Sequence, residues 1–377
     1  MSNKDLFYLC LQASQEGQAS HAHVREIITG LDKRGWRVSL YEPKYANTLH
    51  APRLINRLLG ITLAQVKMWL QLARKKPSVL YIRSHFASWP SAILARMLGV
   101  PVVQEVNGTY EDLFIAWPWT RRLAKLFIWA IRTQLRKANA VIAVTPQLSR
   151  WAEGEGAKDT YVIPNAANIR IFHPGATIDG GLQLPDKYVV FFGALAPWQG
   201  INTMLKAVRD ASWPNEVSLV IVGDGVERMK VEKAARRTDK IVYLGRQPYL
   251  SVPGIVARSI AGLSPQCDAG RRSLDTGLFP LKVFETMACG VPVVVSDFPG
   301  MADLVREAGC GIVIQPENHR ELAESVRYLY ENPQERELMG RRGIGAVIRE
   351  HSWDKRAEDT SKILESMMSS FQDMKEE

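Results

Sequence analysis

Short runs of β-branched residues alternate with longer stretches of helical periodicity along the whole chain. Strands that alternate with helices form parallel sheets joined by crossover helices. The pattern runs through six strands, stops, and starts again with six more. The predicted strands are residues 6–11, 37–41, 78–82, 100–105, 140–144 and 160–163, then 188–192, 217–222, 241–244, 259–263, 291–295 and 311–314. The sequence therefore predicts an α/β fold with two Rossmann-like domains.

The pattern stops at the segment HPGATIDGGLQLPD, residues 173–186, where proline and glycine disfavour both helix and strand. A chain of 377 residues is too long for one ordinary domain and suits two. We predict a first domain at residues 1–180 and a second domain at residues 181–351. Doubly wound domains bind ligands at the carboxyl ends of their strands, so we expect the ligand site in a cleft between the two.

The composition restricts the class of protein further. Hydrophobic residues make up 46% and charged residues 23%, which is typical of globular proteins and excludes a disordered or collagen-like chain. The four cysteines are far apart and form no Cys-x-x-Cys pair, so we expect neither a disulfide framework nor a zinc site. There is no secretion signal and no run of about 20 apolar residues, so we expect a cytoplasmic protein.

Several strands of the second half run into glycine-bearing turns that precede helices. The first such turn contains Gly193 and Gly200, and the next contains Gly223 and Gly225. Turns of this kind let backbone N–H groups and a helix start approach a phosphate, although glycine also serves simply to make a tight turn. The sequence has neither G-x-G-x-x-G nor a Walker A motif, which disfavours a dinucleotide dehydrogenase and a P-loop ATPase.

The segment GLFPLKVFETMACGVPVVVSDFPG carries a more specific signal. Pro280 is suited to start a helix and Gly290 to end it. Lys282 falls in the first turn, where the helix dipole does not favour a cation unless an anion binds there too. Glu285, three residues later, shares the same helix face. A cation for a diphosphate beside a carboxylate for ribose hydroxyls would suit a nucleoside diphosphate; an exposed Lys–Glu pair is the other interpretation.

With these motifs, the chain resembles the retaining glycosyltransferases of family 4, the group 1 transferases, which have the GT-B fold. The resemblance runs nearly from end to end. The segments that carry it are HAHVREIITGLDKRGWRVSLYEP, VIAVTPQLSRWAEGEGAKDTYVIPNAANIRIFHP, FFGALAPWQGI, LVIVGDG, YLGRQP, FETMACGVPVVVSDFPG and HSWDKRAEDTSKIL. The last of these resembles the closing helix of the fold, which implies that residues 352–377 cross back to the first domain.

The resemblance implies a UDP- or GDP-sugar donor held mainly by the second domain and an acceptor held by the first. Glu285 matches the family glutamate that binds the donor ribose. Gly17 lies one residue before the expected glycine pair and would offer backbone N–H groups to the diphosphate. The resemblance also implies retention of configuration with neither a metal nor another cofactor, and the sequence has no Asp-x-Asp metal motif.

The chain departs from the family pattern at three places. Ala194 and Gln199 replace an arginine and a lysine, Gly277 replaces the first glutamate of the Glu-x7-Glu pair, and Asn107 replaces a histidine. Lys282 would restore the missing positive charge, because an unneutralised diphosphate in a cleft is costly. Two further cations, Arg271 and Arg272, are candidates for the same task. These departures leave a non-catalytic GT-B scaffold or partner protein as the alternative.

Three residues are candidates for catalysis. His23 lies in the first helix, where it either lines the cleft or packs against the sheet. Glu105 and Asn107 end a strand, which is where α/β sites lie, although Asn107–Gly108 is also an ordinary turn signal. Glu105 would act as a base or stabilise an oxocarbenium-like transition state. In the family the leaving diphosphate is usually thought to take the acceptor proton, which would leave the protein to position charge.

Residues 1–180 contain 23 lysines and arginines against 12 acids, and helix 119–138 contains six of these cations and no acid. At about 100° per residue, its basic residues fall on one arc and Leu123, Leu126, Phe127 and Ala130 on the opposite side. The basic arc comprises Arg121, Lys125, Arg132 and Arg136. With Trp129 beside it, this arc suits the anionic inner surface of a membrane, with a solvated basic face as the other interpretation.

The function expected from these observations is transfer of a sugar from a nucleotide-sugar to a lipid-linked or polysaccharide acceptor, with retention, in cell-surface polysaccharide or glycolipid synthesis. The protein would be cytoplasmic and peripherally associated with the inner face of the membrane. Nucleic acid is not an expected partner, because the basic helix carries no recognisable nucleic-acid-binding motif.

Overall fold

Two parallel six-stranded sheets form the framework of the computed structural model, which describes residues 4–12, 19–43, 53–116, 118–178, 181–268 and 275–376. The contacts divide the chain into two units. The first unit comprises Met1–Gln15, Val24–Pro164 and Arg356–Glu377, and the second comprises Glu16–His23 and Asn165–Lys355. The predicted α/β fold with two Rossmann-like sheets is confirmed.

The first sheet has the strand order β2-β1-β3-β4-β5-β6. Strands β1, β3, β4 and β5 are buried along their whole length, which explains why they read as continuous apolar runs. In chain order the elements are β1 (Asp5–Cys10), α1 (Ala19–Asp32), β2 (Arg37–Tyr41), α2 (Arg53–Arg74), β3 (Val79–Arg83), α3 (Trp89–Met97), β4 (Val102–Val106), α4 (Glu111–Ala116), α5 (Ala124–Lys137), β5 (Ala140–Ala143), α6 (Pro146–Gly154) and β6 (Thr160–Val162), with 3₁₀ turns at Phe86–Ser88 and Pro118–Leu123.

The second sheet has the order β12-β11-β10-β7-β8-β9. Its elements are β7 (Tyr188–Phe192), a 3₁₀ turn at Pro197–Gln199, α7 (Ile201–Ala207), β8 (Ser218–Val222), α8 (Arg228–Ala235), β9 (Ile241–Gly245), a 3₁₀ turn at Tyr249–Ser251, α9 (Val252–Ala257), β10 (Gly262–Ser264), α10 (Leu281–Ala288), β11 (Val293–Ser296), α11 (Met301–Ala308), β12 (Gly311–Ile314), α12 (His319–Glu331), α13 (Pro333–Glu350) and α14 (Trp353–Glu376). All twelve predicted strands are present, with ends shifted by a few residues.

The segment 165–178, which the linker argument assigns to the first domain, groups with the second unit. Asn165 donates a hydrogen bond to the carbonyl oxygen of Phe279, and the Ala167 N–H donates to that of His351. Phe172 is fully buried in the core of the second unit. Because these contacts begin directly after Pro164, the limit between the two units lies there and not at the glycines and prolines of residues 173–186.

Helix α14 belongs to the first unit from Arg356 onward. Trp36, which is 2% exposed, donates from its indole nitrogen to Ser361 Oγ at 2.9 Å. Lys4 Nζ lies 2.8 Å from Glu365 Oε1. The final helix is therefore fixed to the first unit by a buried aromatic side chain and a partly exposed ion pair.

Each sheet has one point at which the chain order reverses. In the first sheet, β1 has β2 on one side and β3 on the other; in the second, β7 lies between β8 and β10. Ligands of doubly wound folds bind at the carboxyl ends of strands at such points, because the connections leave the sheet in opposite directions there. The two points define where a functional site is expected in each unit.

Candidate active site

The turn after β7 requires glycine at two positions. Gly193 has φ +130° and Gly200 has φ +71°, a region in which other residues are strained. A Cβ atom on Gly200 would lie 1.7 Å from the carbonyl oxygen of Pro265, which follows β10. The turn is therefore held against the end of the neighbouring strand, at the reversal point of the second sheet.

Lys282 is buried at this same point. It is 9% exposed, and its ammonium group donates a hydrogen bond to Gln199 Oε1 at 2.7 Å and lies 3.8 Å from the ring centroid of Phe191. A Cβ atom on Gly193 would lie 3.3 Å from Lys282 Nζ. The structure thus brings Lys282 against Phe191, Gly193 and Gln199, the last of which lies 83 residues earlier in the sequence.

The environment of Lys282 lowers the pKa of its ammonium group. Burial lowers the pKa of the ammonium group to about 7, and the negative charge of Glu285 only partly opposes this shift. Near pH 7 the side chain therefore lies close to the midpoint of its titration. A buried cation in this state would gain much from an anion placed beside it.

Glu285 lies on the same helix and is 7% exposed. The hydroxyl group of Tyr249 donates to Glu285 Oε1 at 3.4 Å. Because both Lys282 and Glu285 are buried, the interpretation as an exposed surface pair is wrong. Helix α10 begins directly after Pro280, as predicted, and all eight of its residues are buried.

Three of the predicted donor-binding residues cannot be placed, and the position of one departure from the family pattern can. Gly17, Arg271 and Arg272 lie outside the described residues. Gly277, where the family has a glutamate, has φ +65°, so its backbone conformation favours glycine.

Glu105, near the carboxyl end of β4, accepts hydrogen bonds from side chains of β1 and β3, the strands at the reversal point of the first sheet. It is 1% exposed. Strand register places Arg83 beside Glu105 and Tyr8 beside Tyr81. Oε1 accepts from Arg83 Nη1 and Asn107 Nδ2, both at 2.5 Å, and Oε2 accepts from the hydroxyls of Tyr81 at 2.8 Å and Tyr8 at 3.1 Å.

These four hydrogen bonds assign Glu105 a positioning role. Burial, together with the charge of Glu105, raises the pKa of Tyr8 and Tyr81 well above the ordinary value, so both remain hydroxyl donors. Burial alone would lower the pKa of Arg83, but the carboxylate outweighs it and raises the pKa. A carboxylate held by four donors is a poor proton acceptor, so this geometry favours an anchor for Arg83 and Asn107 over the predicted base.

Sequence reasoning missed Arg83, Tyr8 and Tyr81. The available signal was an arginine at the end of the otherwise apolar strand VLYIR. Its pairing with Glu105 depends on the register of β3 against β4, which local patterns do not give.

His23, in α1, is 5% exposed and groups with the second unit. Its Nδ1 lies 3.0 Å from Asn165 Oδ1, and its ring packs edge-on against Trp353 with centroids 5.1 Å apart. Asn165 in turn donates to the carbonyl oxygen of Phe279 at 2.7 Å. His23 is thus linked through Asn165 to the segment that precedes α10.

The predicted orientation of helix 119–138 is wrong in part. Leu123 and Leu126 are 48% and 55% exposed, although the periodicity placed them against the sheet. For Leu123 the reason is that residues 118–123 form a 3₁₀ turn and the α-helix begins only at Ala124, so one angular period does not hold throughout. Leu126 lies within the helix, about 100° around its axis from the buried Phe127, and therefore falls at the edge of the inward face. The side chains that pack inward are Phe127, Ala130, Ile131, Gln134 and Leu135.

Two residues of the predicted basic arc face the protein. Arg132 Nε donates to Glu155 Oε2 at 2.5 Å, and Arg136 Nε donates to the Glu155 carbonyl oxygen at 3.1 Å. The exposed residues of this region form a mixed apolar and basic face, which we call the α5 face: Trp119, Arg121, Arg122, Leu123, Lys125, Leu126 and Trp129.

Helix α2 exposes a second apolar surface, which we call the α2 stripe. Its six large apolar side chains are between 37% and 57% exposed: Ile55, Leu58, Leu59, Leu63, Val66 and Leu70. The opposite side of the helix, with Ala64, Met68 and Leu72, packs into the core. The helix contains no acidic residue.

The α2 stripe and the α5 face are linked through α3. Trp69 of α2 donates to Ser91 Oγ at 2.9 Å, and the ring of Trp89 packs against that of Trp129 at 4.9 Å. Among the helices that the structure describes, none is long and apolar enough to cross a membrane.

The two parallel doubly wound sheets define the GT-B fold class. The family pattern described as "Glycosyl transferases group 1" matches residues 178–346, and that described as "Glycosyltransferase Family 4" matches residues 20–170. The chain therefore belongs to the family 4, or group 1, glycosyltransferases, and the predicted family is confirmed.

Known proteins agree with this assignment. A GDP-mannose-dependent monoacylated alpha-(1-6)-phosphatidylinositol monomannoside mannosyltransferase from Corynebacterium glutamicum is 26% identical over 251 residues, which cover 62% of this chain and 65% of that protein. Sucrose-phosphate synthase from Thermosynechococcus elongatus has a TM-score of 0.79 at 17% identity, covering 97% of this chain and 100% of that one. HepE from Anabaena in complex with UDP-glucose has a TM-score of 0.69 at 16% identity, covering 96% and 99%.

We predict that Gly200→Ala destabilises the second unit more than Gly245→Ala. Both glycines have positive φ, at +71° and +64°, but a Cβ atom on Gly245 meets nothing within 4 Å. Gly245→Ala should therefore cost only the left-handed strain of about 1–2 kcal/mol. Gly200→Ala should cost about 1–3 kcal/mol more because of the clash with Pro265. Urea unfolding of both variants measures the difference; equal losses would show that the close approach to Pro265 contributes nothing.

Proposed function

We propose that this glycosyltransferase takes its sugar from a UDP- or GDP-sugar bound by the second unit. The observation that carries the proposal is the burial of Lys282 and Glu285 on one helix at the reversal point of the second sheet, against the Gly193–Gly200 turn. The names of the relatives support a nucleotide-sugar: one is GDP-mannose-dependent, and one is a complex with UDP-glucose.

In this proposal Lys282 binds the diphosphate and Glu285 accepts hydrogen bonds from the ribose. Gln199, which stands where the family has a lysine, orients the ammonium group of Lys282 through the 2.7 Å hydrogen bond. The backbone at Gly193 carries no side chain that would keep the phosphates away from Lys282 Nζ. The charge of the diphosphate would thus be met by a lysine on α10, without a metal ion or another cofactor.

The chemistry we propose is transfer with retention of configuration. The diphosphate leaves toward Lys282, whose positive charge would stabilise the negative charge that develops on it in the transition state. With Glu105 engaged by four donors, the leaving group is the better acceptor for the proton of the acceptor hydroxyl. The alternative of a non-catalytic GT-B protein predicts nucleotide binding without turnover.

Nucleotide binding and turnover test the proposal directly. We expect UDP or GDP to raise the melting temperature, and the matching nucleotide-sugar to be consumed by the purified protein. Glu285→Gln should weaken nucleotide binding about tenfold or more, since it replaces a charged hydrogen-bond acceptor, whereas Glu232→Gln on α8 should leave it unchanged. Calorimetric titration measures both variants. Binding without consumption of any nucleotide-sugar would support the non-catalytic alternative.

We predict that the affinity for the nucleoside diphosphate falls as the pH rises from 7 to 9. Burial lowers the pKa of Lys282 to about 7, so the free protein loses this charge over that range, whereas the bound diphosphate favours the protonated amine and its binding takes up a proton. The fall should reach at most about tenfold per pH unit.

The pH range lies above the second phosphate pKa of about 6, so the ligand itself stays ionised. Lys282→Gln should bind more weakly and lose the pH dependence, and Lys187→Gln, at an exposed lysine, should retain it. A wild-type affinity that is constant from pH 7 to 9 would contradict the assignment of Lys282 to the diphosphate.

We further propose that the acceptor is lipid-linked and that the protein meets it on the anionic inner face of the membrane, in the synthesis of a glycolipid or surface polysaccharide. The α2 stripe and the α5 face offer large apolar side chains flanked by basic residues, and neither α2 nor residues 118–137 contain an acid. This composition suits a surface that lies on anionic headgroups.

Vesicle flotation tests the membrane proposal. We expect binding to vesicles with anionic lipid but not to neutral vesicles, and partial release by salt because the Debye length shortens from about 10 Å at 0.1 M to about 3 Å at 1 M. Leu63→Glu should reduce binding about tenfold or more. The control Ile348→Glu changes a 58% exposed isoleucine of α13 in the second unit and should have no effect. Equal loss in both variants would show that the α2 stripe is not the contact.

A further inference from the structure

The carboxylate of Glu285 receives a hydrogen bond from outside its own helix. Glu285 is 7% exposed, and the hydroxyl group of Tyr249 donates to its Oε1 at 3.4 Å. An ionised carboxylate only accepts hydrogen bonds, so the proton of this contact belongs to the tyrosine. Tyr249 begins the 3₁₀ turn that follows β9, whereas Glu285 lies on α10. The contact therefore joins two elements of the second unit that are 36 residues apart in the sequence.

The ammonium group of Lys282, on the same helix, is directed toward a different turn. It donates to Gln199 Oε1 at 2.7 Å and lies 3.8 Å from the ring centroid of Phe191. Its charge acts on Glu285 from there, since the carboxylate opposes the fall in the pKa of Lys282. The lysine of α10 is thus oriented from the turn after β7, and the glutamate is contacted from the turn after β9.

The ring of Tyr249 packs against a buried aromatic residue. It meets Phe172 edge-on, with centroids 5.6 Å apart, and Phe172 is fully buried. Phe172 in turn stacks on Phe192, the last residue of β7, with centroids 6.5 Å apart. Because the ring itself makes these packing contacts, replacement of the tyrosine by phenylalanine would remove the hydroxyl group alone.

The turn that carries Tyr249 is fixed on both sides. Before it, Gln247 Nε2 donates to the carbonyl oxygen of Leu244 in β9 at 2.6 Å. After it, α9 packs closely on the segment that contains Phe172, since a Cβ atom on Gly254 would lie 2.3 Å from the carbonyl oxygen of Thr177. The hydroxyl group of Tyr249 is therefore held in one place relative to α10.

A donor held in this way restricts the carboxylate that accepts from it. A glutamate side chain loses rotamer freedom when it binds a ligand, and it loses less if another group already orients it. A carboxylate has about four acceptor positions on its two oxygen atoms, and the tyrosine uses one of them. The hydroxyl groups of a ribose are also donors, so they fit a carboxylate that is oriented but not saturated by the tyrosine.

We propose that Tyr249 is a positioning residue that orients Glu285 toward the ribose and so strengthens the preference of the site for a nucleotide with ribose hydroxyls. The inference rests on the proposed function, because it takes Glu285 as the residue that binds the ribose. Loss of the tyrosine hydroxyl should weaken the contribution of the ribose hydroxyls. It should leave the contribution of the diphosphate unchanged, because Lys282 is oriented by Gln199.

Nucleoside diphosphates with and without ribose hydroxyls test the inference in the full-length protein. UDP, GDP and their 2′,3′-dideoxy forms are titrated calorimetrically, and the ratio of the two affinities for the same base measures the contribution of the hydroxyls. We expect the ratio to be about tenfold or higher in the wild type. Tyr249→Phe should lower it about three- to tenfold by weakening the binding of the ribonucleotide only.

Two further variants show whether the effect acts through the carboxylate. Glu285→Ala should remove most of the ratio, and addition of Tyr249→Phe to it should lower the ratio no further, because the two side chains act together. Tyr188→Phe is the matched control, since it removes another tyrosine hydroxyl of this unit, which donates to the carbonyl oxygen of Ile255 in α9 at 2.6 Å. It should keep the wild-type ratio even if it lowers the melting temperature.

The outcomes separate this inference from the proposed function. If Tyr249→Phe keeps the wild-type ratio, or weakens the binding of both forms equally, Tyr249 does not orient Glu285 for the ribose. A further loss of the ratio on adding Tyr249→Phe to Glu285→Ala would show that the tyrosine contacts the ribose directly, which also overturns the inference. A full ratio in Glu285→Ala, or failure of both UDP and GDP to bind the wild type, would instead contradict the proposed function on which the inference rests.

Discussion

The burial of a positive charge at the end of a parallel sheet is the constraint on which the site depends. Taking an ammonium or guanidinium group out of water costs several kcal/mol unless other groups replace its hydration. For Lys282 the replacement is partial: one amide oxygen, one aromatic face and a neighbouring carboxylate, and its pKa falls to about 7. Such a group is stabilised most by a ligand that brings the missing negative charge.

In the first unit a buried cation is stabilised in a different way. Arg83 is buried beside a full carboxylate, and the pKa of the guanidinium group rises where that of the lysine falls. It therefore stays charged at any pH at which the protein is folded. The two sheets thus place cations of different character at equivalent topological positions, one that titrates near neutrality and one that does not. In the proposed reaction the first would respond to the departing diphosphate.

The parts of the structure that were predictable are those set by local sequence. Alternation of apolar runs with helical periodicity gave both sheets, since fully buried strands must be apolar on both faces. Helix α10 was predictable because Pro280 and Gly290 mark its ends. Lys282 and Glu285 stood out because a cation in a first helical turn conflicts with the helix dipole, and the structure resolves the conflict by burying it against the glycine turn.

What escaped prediction depends on the register between strands or on an irregular turn. The Arg83–Glu105 pair requires β3 and β4 to be aligned, and the period-2 pattern of two fully buried strands contains no information on that alignment. The exposure of Leu123 required knowing that a 3₁₀ turn precedes Ala124, because such a turn advances each residue by about 120° instead of 100°. The limit of the first unit depended on the contacts of residues 165–172, which no composition change marks.

The exposed apolar side of α2 requires an explanation of its own. A helix that packs Met68 and Leu72 into the core has no need of six further large apolar residues on its outer side, and their exposure to water is unfavourable. A second apolar contact on the outer side, in addition to the contact with the core, explains why both sides of α2 carry large apolar residues. A lipid-linked acceptor, as proposed above, would supply this contact, since its apolar chain would lie with the α2 stripe in the membrane.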